Sequence, residues 1–254
     1  MVKTDVNCFL GNWPFRRLRH NTLHDLQAVH AKNGFSLGYV ASLSSIFNND
    51  PIESEEELYD ILKGSSYRQI YTVNPTLPAL SRNIAEGVER FNIAGVRIYP
   101  GYHQFKLDDP CMRELRAVLK KYNLPLYITA KIEDERLNYM ITPRTVSCEE
   151  MMALTELMQD VKILFTGVMT YEAVQMKEVI NSSPNVFVET SYFKGPTGCM
   201  EYALSELSAD KLLFGSAYAY LCFKSALLQI ETASIQEEQK RKVLAENAAR
   251  FFVK

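Results

Sequence analysis

Short apolar runs alternate along the chain with segments that carry apolar residues at helical spacing. In one such segment, CMRELRAVLKKY, the side chains of Met112, Leu115, Leu119 and Tyr122 fall on one helical face. Another, SEEELYDILKG, has the acidic start and the glycine end that are typical of a helix. The apolar runs predict eight strands, at DVNCFLG (5–11), FSLGYVAS (35–42), RQIYTVN (68–74), AGVRIYP (94–100), PLYITAKIE (125–133), VKILFTG (161–167), NVFVETSY (185–192) and KLLFGSA (211–217).

Strands that alternate with helices in this way favour a parallel sheet with right-handed crossovers. Eight such units in 254 residues have the size of a (β/α)₈ barrel, and we expect one domain over residues 1–254. An open doubly wound sheet is the main alternative. It would be favoured by a glycine-rich phosphate loop, but the sequence has no GxGxxG or Walker pattern.

The alternation of side chains along each strand predicts which of them face the barrel interior. In the first strand, Val6, Cys8 and Leu10 form an apolar outer face, which leaves Asp5, Asn7 and Phe9 inside. In the fifth strand, the inner positions are Tyr127, Thr129, Lys131 and Glu133, and Leu126, Ile128, Ala130 and Ile132 face the helices. The predicted polar interior comprises Asn7, Arg97, Tyr99, Lys131, Glu133, Thr166, Glu189 and Ser191.

Most of these polar residues lie late in their strands, at the C-terminal mouth where barrel active sites are built. They could form an internal salt-bridge network, with Arg97 and Lys131 paired to Glu133 and Glu189. Buried ion pairs add little net stability compared with apolar packing. The polar interior therefore favours a ligand site over a purely structural network.

Composition narrows the classes of partner. An apolar fraction of 47% and a charged fraction of 23% are typical of a globular protein. A net charge of −2 gives no reason to expect nucleic acid or an anionic membrane. The five cysteines include no CxxC pair, the N-terminus lacks a signal-peptide pattern, and no stretch approaches 18 apolar residues. We therefore expect reduced thiols and a cytoplasmic location.

Five segments, in this order and spacing, resemble the amidohydrolase superfamily, in particular its amidohydrolase-related branch. They are DVNCFLGNWPF, GVRIYPGYHQFKLDDP, LPLYITAKIEDER, LLFGSAY and VLAENAARFF. The resemblance covers nearly the whole chain. It implies a barrel whose metal is held by an HxH on the first strand, a His on the fifth, a His on the sixth and an Asp on the eighth. Here the matching positions are Asn7, Phe9, Thr129, Thr166 and Ala217.

None of these five residues is a usual ligand of zinc. The sequence therefore predicts neither a metal nor another cofactor. The resemblance offers one precedent, because the same branch includes lactonases that work without metal and use arginines, tyrosines and histidines to bind an anionic substrate. Those lactonases retain the first-strand histidines and the eighth-strand Asp, which this chain lacks.

The first hypothesis is a metal-independent hydrolase of a small anionic substrate, such as a lactone or a sugar-acid derivative, bound at the C-terminal mouth. The alternative is a catalytically inactive barrel that binds a small molecule or a protein, and the sequence is also compatible with a homo-oligomer. Three histidines in or beside the first helix, His20, His24 and His30, are interpreted as surface or packing residues. The predicted catalytic residues are His103, Glu133 and Lys131, and the predicted substrate-binding residues are Asn7, Arg16, Arg97, Tyr99, Asp134, Arg136, Thr166 and Glu189.

Overall fold

Eight parallel strands follow one another around a sheet in sequence order. The computed structural model describes residues 2–133, 143–195 and 197–253. Backbone hydrogen bonds from Val6 N to Phe214 O (2.9 Å) and from Ala217 N to Asn7 O (2.7 Å) join the two ends of the sheet. The predicted (β/α)₈ barrel is therefore confirmed. The strands are β1 Lys3–Leu10, β2 Phe35–Ser42, β3 Arg68–Thr72, β4 Gly95–Ile98, β5 Leu126–Thr129, β6 Ile163–Thr166, β7 Val186–Glu189 and β8 Leu212–Leu213.

Helices occupy the connections between the strands. None of the helices within the described residues is long and apolar enough to cross a membrane. They are α1 Leu23–Lys32, α2 Ile52–Leu62, α3 Leu80–Phe91, α4 Pro100–His103, α5 Cys111–Tyr122, α6 Cys148–Leu157, α7 Thr170–Gln175, α8 Lys177–Ser182, α9 Cys199–Glu206, α10 Phe223–Glu231, α11 Glu237–Arg241 and α12 Asn247–Phe251. Short 3₁₀ turns at Ser44–Ile46 and Ala209–Lys211 and a π-helical turn at Lys242–Glu246 complete the described elements.

Local sequence explains where two of these helices lie. Helix α1 begins after Thr22, whose hydroxyl accepts a hydrogen bond from Asp25 N, and the Asp25 carboxylate accepts one from Thr22 N in return. This capping box satisfies two backbone donors that the helix cannot bond internally. Helix α5 buries Met112, Leu115 and Leu119 on the face that the sequence predicts. Both helices thus follow from capping and apolar spacing.

The core has two layers on the two sides of the barrel wall. The larger layer packs the outer faces of the strands against the helices and includes Val96, Ile128 and Phe165. A second cluster fills the barrel interior and includes Phe9, Tyr99 and Tyr127. The interior is therefore a packed core with large aromatic side chains, as in other barrels of this size.

The predicted orientation of β1 is wrong at its start. The pairing of β1 with β2 shifts register between Asp5 and Cys8, and the shift reverses the orientation of two side chains. Val6 packs in the barrel interior, whereas the Asp5 carboxylate lies beside His30 of α1. After the shift, the predicted inward positions of Asn7 and Phe9 are confirmed, because Asn7 bonds to Arg97 and Phe9 belongs to the interior cluster.

Several strands are shorter than the apolar runs predict. The fifth ends at Thr129, so the alternation does not continue to Glu133, and Ile132 packs in the interior cluster instead of facing the helices. The eighth has only two regular residues, Leu212–Leu213. In the segment that follows, Ser216 N bonds to the Asp5 carboxylate at 3.0 Å, and Ala217 adopts a left-handed φ of 51°. Tertiary contacts thus end these strands before the apolar pattern does.

We predict that Gly215→Ala destabilises the fold. An added Cβ at residue 215 would lie 2.2 Å from Glu189 Oε2 and 2.9 Å from Asn7 Cβ. The buried side chains would have to move apart, at a cost of roughly 1–3 kcal/mol. Urea denaturation measures the loss. Gly195→Ala is the matched control, because a Cβ there meets nothing within 4 Å. Equal stability of the two variants would contradict the prediction.

Candidate functional site

The Arg97 guanidinium lies at the centre of the barrel, near the C-terminal ends of the strands. Its side chain is fully buried and donates three hydrogen bonds to neutral oxygen atoms. Arg97 Nε donates to Thr129 Oγ1 at 2.8 Å, Nη1 to Asn7 Oδ1 at 2.9 Å, and Nη2 to Thr166 Oγ1 at 2.9 Å. Side chains of three other strands thus hold one cation in a fixed orientation.

Aromatic rings surround the same cation. The guanidinium carbon lies 4.6 Å from the centre of the Phe9 ring, 5.5 Å from that of Tyr99 and 5.7 Å from that of Tyr127. The negative faces of aromatic rings attract a cation, and the attraction is stronger where water is excluded. These rings partly replace the hydration that Arg97 loses on burial.

The residues at the barrel centre do not fit the divalent metal that the family resemblance implies. Asn7, Thr129 and Thr166 supply neutral oxygens, and these oxygens already accept hydrogen bonds from Arg97. Phe9 and Ala217 have no donor atom, and catalytic zinc sites need imidazole, thiolate or carboxylate ligands. A dication placed there would also meet the guanidinium charge. We therefore assign no metal chemistry to this centre.

A buried carboxylate, Glu189, is connected to Arg97 through neutral groups. It accepts hydrogen bonds from Ser191 N (2.7 Å), Ser191 Oγ (2.8 Å) and Gly167 N (3.1 Å). Asn7 Nδ2 donates to Ser191 Oγ at 3.4 Å and so joins the two ends of the network. Burial raises the pKa of Glu189, and the bonds from Ser191 and Gly167 oppose that rise. The predicted interior residues Asn7, Arg97, Thr166 and Glu189 therefore do come together.

The predicted salt-bridge pairing is different from the one in the structure. Within the described residues, no carboxylate lies in ion-pair contact with Arg97, whose bonds go to neutral side chains. Lys131 Nζ contacts Glu172 Oε1 of α7 at 3.0 Å, which directs it towards the helix layer. Glu172 also accepts bonds from Met169 N (2.7 Å) and Tyr171 Oη (3.2 Å). Lys131 and Glu172 thus anchor the loop that follows β6.

A half-buried carboxylate, Glu133, lies at the mouth among aromatic side chains. It accepts hydrogen bonds from Trp13 Nε1 and Tyr102 Oη, both at 3.3 Å. Burial raises the pKa of Glu133, and these two bonds and the charge of Arg16 oppose that rise. Arg16 donates to the Tyr220 carbonyl oxygen at 2.5 Å and stacks on the Tyr220 ring at 4.4 Å. The mouth therefore brings together a carboxylate, a cation and several rings.

His103 lies at the edge of this region. Its Nε2 is 3.2 Å from the Ile46 carbonyl oxygen, so Nε2 carries the proton and donates it to that oxygen. Nδ1 is buried and has no partner among the described residues. Burial lowers the pKa of His103 and favours the neutral ring.

Among the predicted site residues, Asp134 and Arg136 lie outside the described part of the chain.

A second buried polar cluster, which the sequence pattern does not predict, is centred on Glu55 of α2. Gln69 Nε2 donates to Glu55 Oε2 at 2.8 Å, and burial raises the pKa of Glu55 to about 7. Buried hydroxyls of Ser45, Thr72 and Tyr99 have no partner of hydrogen-bond geometry among the described residues. In the sequence, Glu55 is one of several acids at a helix start. Only its contacts with the barrel distinguish it from its neighbours.

The fold is shared with solved enzymes over nearly the whole chain. 5-Carboxyvanillate decarboxylase from Sphingomonas paucimobilis is 16% identical, with a TM-score of 0.73, and the match covers 99% of this chain and 98% of that one. Dihydroxybenzoic acid decarboxylase from Polaromonas sp. JS666, solved with manganese and the inhibitor 2-nitroresorcinol, is 13% identical, with a TM-score of 0.75 and coverages of 99% and 96%.

Amidohydrolase 2 from Bifidobacterium longum subsp. infantis is 16% identical, with a TM-score of 0.69 and coverages of 99% and 98%. No protein-family model matches the sequence, and no curated protein matches it. At these identities the likeness shows the fold. The chain has the fold of the amidohydrolase-type barrels, as its sequence indicates.

We predict that Glu55 makes stability depend on pH. Its pKa is about 7 in the folded protein and about 4.5 ordinarily, so between these values the folded state binds more protons than the unfolded state. The free energy of unfolding should therefore fall as pH rises through this window, by an amount on the order of 3 kcal/mol. Urea denaturation at pH 5 and pH 8 measures the fall.

Glu55→Gln should reduce this pH dependence, because an amide cannot ionise, and should make the protein at least as stable as wild type at pH 8. The control is Glu57→Gln, which changes an exposed carboxylate of the same helix. An unchanged slope in Glu55→Gln would show that Glu55 does not titrate in this window.

Proposed function

We propose that the protein is a metal-independent hydrolase that binds a small organic acid or its lactone at the C-terminal mouth. One observation carries the proposal: Arg97 bonds to Asn7, Thr129 and Thr166, which occupy metal-ligand positions in the family that the sequence resembles. On this view, the guanidinium takes the place of the metal as the fixed positive charge of the site.

The free donors of Arg97 support the binding of an anion. A guanidinium has five N–H groups, and three of those in Arg97 have partners among the described residues. The remaining N–H groups suit a carboxylate or a polarised carbonyl oxygen. A fixed cation of this kind stabilises the negative charge that develops on a carbonyl oxygen when water attacks it.

Glu133 is the better candidate for the proton transfer. Its carboxyl is half-buried, has a raised pKa and is close to Arg16, which could orient a substrate carboxylate. We propose that Glu133 accepts a proton as water adds to the lactone carbonyl and returns it to the alkoxide as the ring C–O bond breaks. His103 is the poorer candidate, because its Nε2 proton is bonded to a backbone carbonyl.

A non-catalytic barrel is the second candidate, and one observation favours it. Phe9, Tyr99 and Tyr127 are all buried around Arg97, whose charge is already stabilised by three neutral acceptors. Such a centre could hold a ligand at the mouth without any turnover. The two decarboxylases of similar fold are named for small aromatic acids. Their names support a small organic acid as the ligand of either candidate.

We predict that Glu133→Gln lowers the hydrolysis of sugar-acid lactones about 10²–10⁴-fold, the range that general acid–base catalysis usually contributes. Binding of the product acid, measured by calorimetry, should change only a few-fold. Glu149→Gln, an exposed change on α6, is the control. Equal turnover of wild type and Glu133→Gln would contradict the proposed role of Glu133. Binding without turnover in wild type would favour the non-catalytic barrel.

We predict that Arg97→Lys weakens the binding of the acid by at least about tenfold. Lysine keeps the charge but cannot donate in three fixed directions to Asn7, Thr129 and Thr166. Calorimetric titration measures binding, and circular dichroism checks that the variant is folded. Unchanged affinity in a folded Arg97→Lys variant would exclude Arg97 as the anion-binding group.

A further inference from the structure

Three side chains with metal-binding atoms meet on the outer side of β1, away from the barrel centre. They are Asp5 and Cys8 of β1 and His30 of α1, and all are fully buried. One ligand atom from each lies within 4.8 Å of the others. Asn7 and Phe9 of the same strand face the opposite side, so this cluster is separate from the positions discussed above.

Hydrogen bonds outside the cluster orient His30 and Asp5. They leave one atom of each side chain, His30 Nε2 and Asp5 Oδ2, directed at the cluster. Tyr67 Oη contacts His30 Nδ1 at 2.8 Å, which leaves Nε2 facing Asp5. Backbone N–H groups of Asn7 (3.1 Å) and Ser216 (3.0 Å) donate to Asp5 Oδ1, which leaves Oδ2 facing His30. Outer hydrogen bonds of this kind orient the ligands in metal sites.

We propose that Asp5, Cys8 and His30 form a binding site for a zinc-like divalent cation. Their donor set of thiolate, imidazole and carboxylate is one that zinc uses in proteins. In tetrahedral zinc sites, nitrogen and oxygen ligands about 2.0–2.1 Å from the metal lie about 3.3 Å from each other. Asp5 Oδ2 and His30 Nε2 are 3.3 Å apart.

The balance of charge and protons suits a buried site. Binding releases the thiol proton of Cys8 to solvent, and His30 binds through Nε2 as a neutral imidazole whose single proton lies on Nδ1 and is donated to Tyr67 Oη. The two anionic ligands then neutralise the dication. The Asp5 carbonyl oxygen, 3.8 Å from Cys8 Sγ, is a candidate for a fourth donor. The cation would fasten β1 to α1 and have a structural role.

The competing interpretation is a metal-free chain of hydrogen bonds from Asp5 through His30 to Tyr67. The two interpretations differ in Cys8, which has no essential part in that chain but would be a thiolate ligand of the metal. A measurement that reports on sulfur coordination therefore distinguishes them.

The test uses the full-length, untagged protein, purified after dialysis against excess zinc or cobalt(II). We expect about one tightly held metal per chain by elemental analysis, and a sulfur-to-cobalt charge-transfer band in the cobalt form. Cys8→Ser should lower the metal content at least tenfold and remove the band. Cys148→Ser, at another buried free cysteine, should change neither.

The proposed metal site would be contradicted if the wild-type protein retained no metal. It would also be contradicted if the charge-transfer band persisted in Cys8→Ser. If Cys8→Ser does not fold, the wild-type cobalt spectrum decides, because a missing sulfur band excludes Cys8 as a ligand. Lactone hydrolysis serves as a separate readout. Its absence would contradict the proposed hydrolase, whereas the metal content and the cobalt spectrum test only the cluster behind β1.

Discussion

The buried charge of Arg97 is the constraint on which the barrel interior depends. An uncompensated charge in the interior is costly, and a buried cation must be surrounded by acceptors or opposite charge. Asn7, Thr129 and Thr166 supply the acceptors, and the ring of Phe9 covers one side. Each of these residues contacts the guanidinium and helps to replace the water that its charge loses on burial. The polar side chains on β1, β5 and β6 therefore act together to stabilise one buried charge.

Much of this arrangement could be predicted from alternation along the strands. The bounds of β2 match the apolar run at 35–42, and Arg97, Thr166 and Glu189 point inwards as their parity requires. The prediction is wrong at Asp5 and at Ile132, where a register shift and an early strand end interrupt the alternation. Both depend on contacts between distant segments, which a local pattern does not contain.

Glu55 illustrates a different limit of sequence reasoning. It lies in a run of acids, and a helix start of that kind is usually solvated. Its neighbour Glu57 is exposed, whereas Glu55 is fully buried against β3 and has a raised pKa. The difference arises from the rotation of α2 relative to the barrel. A perturbed carboxyl of this type becomes visible only when the packing of the helix is known.

The register shift in β1 joins the two sides of the barrel wall. It turns Asp5 outwards to His30 while Asn7 remains inside, bonded to Arg97. Asp5 also bonds to the backbone of Asn7 and Ser216, so its position fixes the strand that presents Asn7 to the guanidinium. A cation held by Asp5, Cys8 and His30 would stabilise that register. The donors behind β1 would then support the strand position from which Asn7 reaches the buried guanidinium of Arg97.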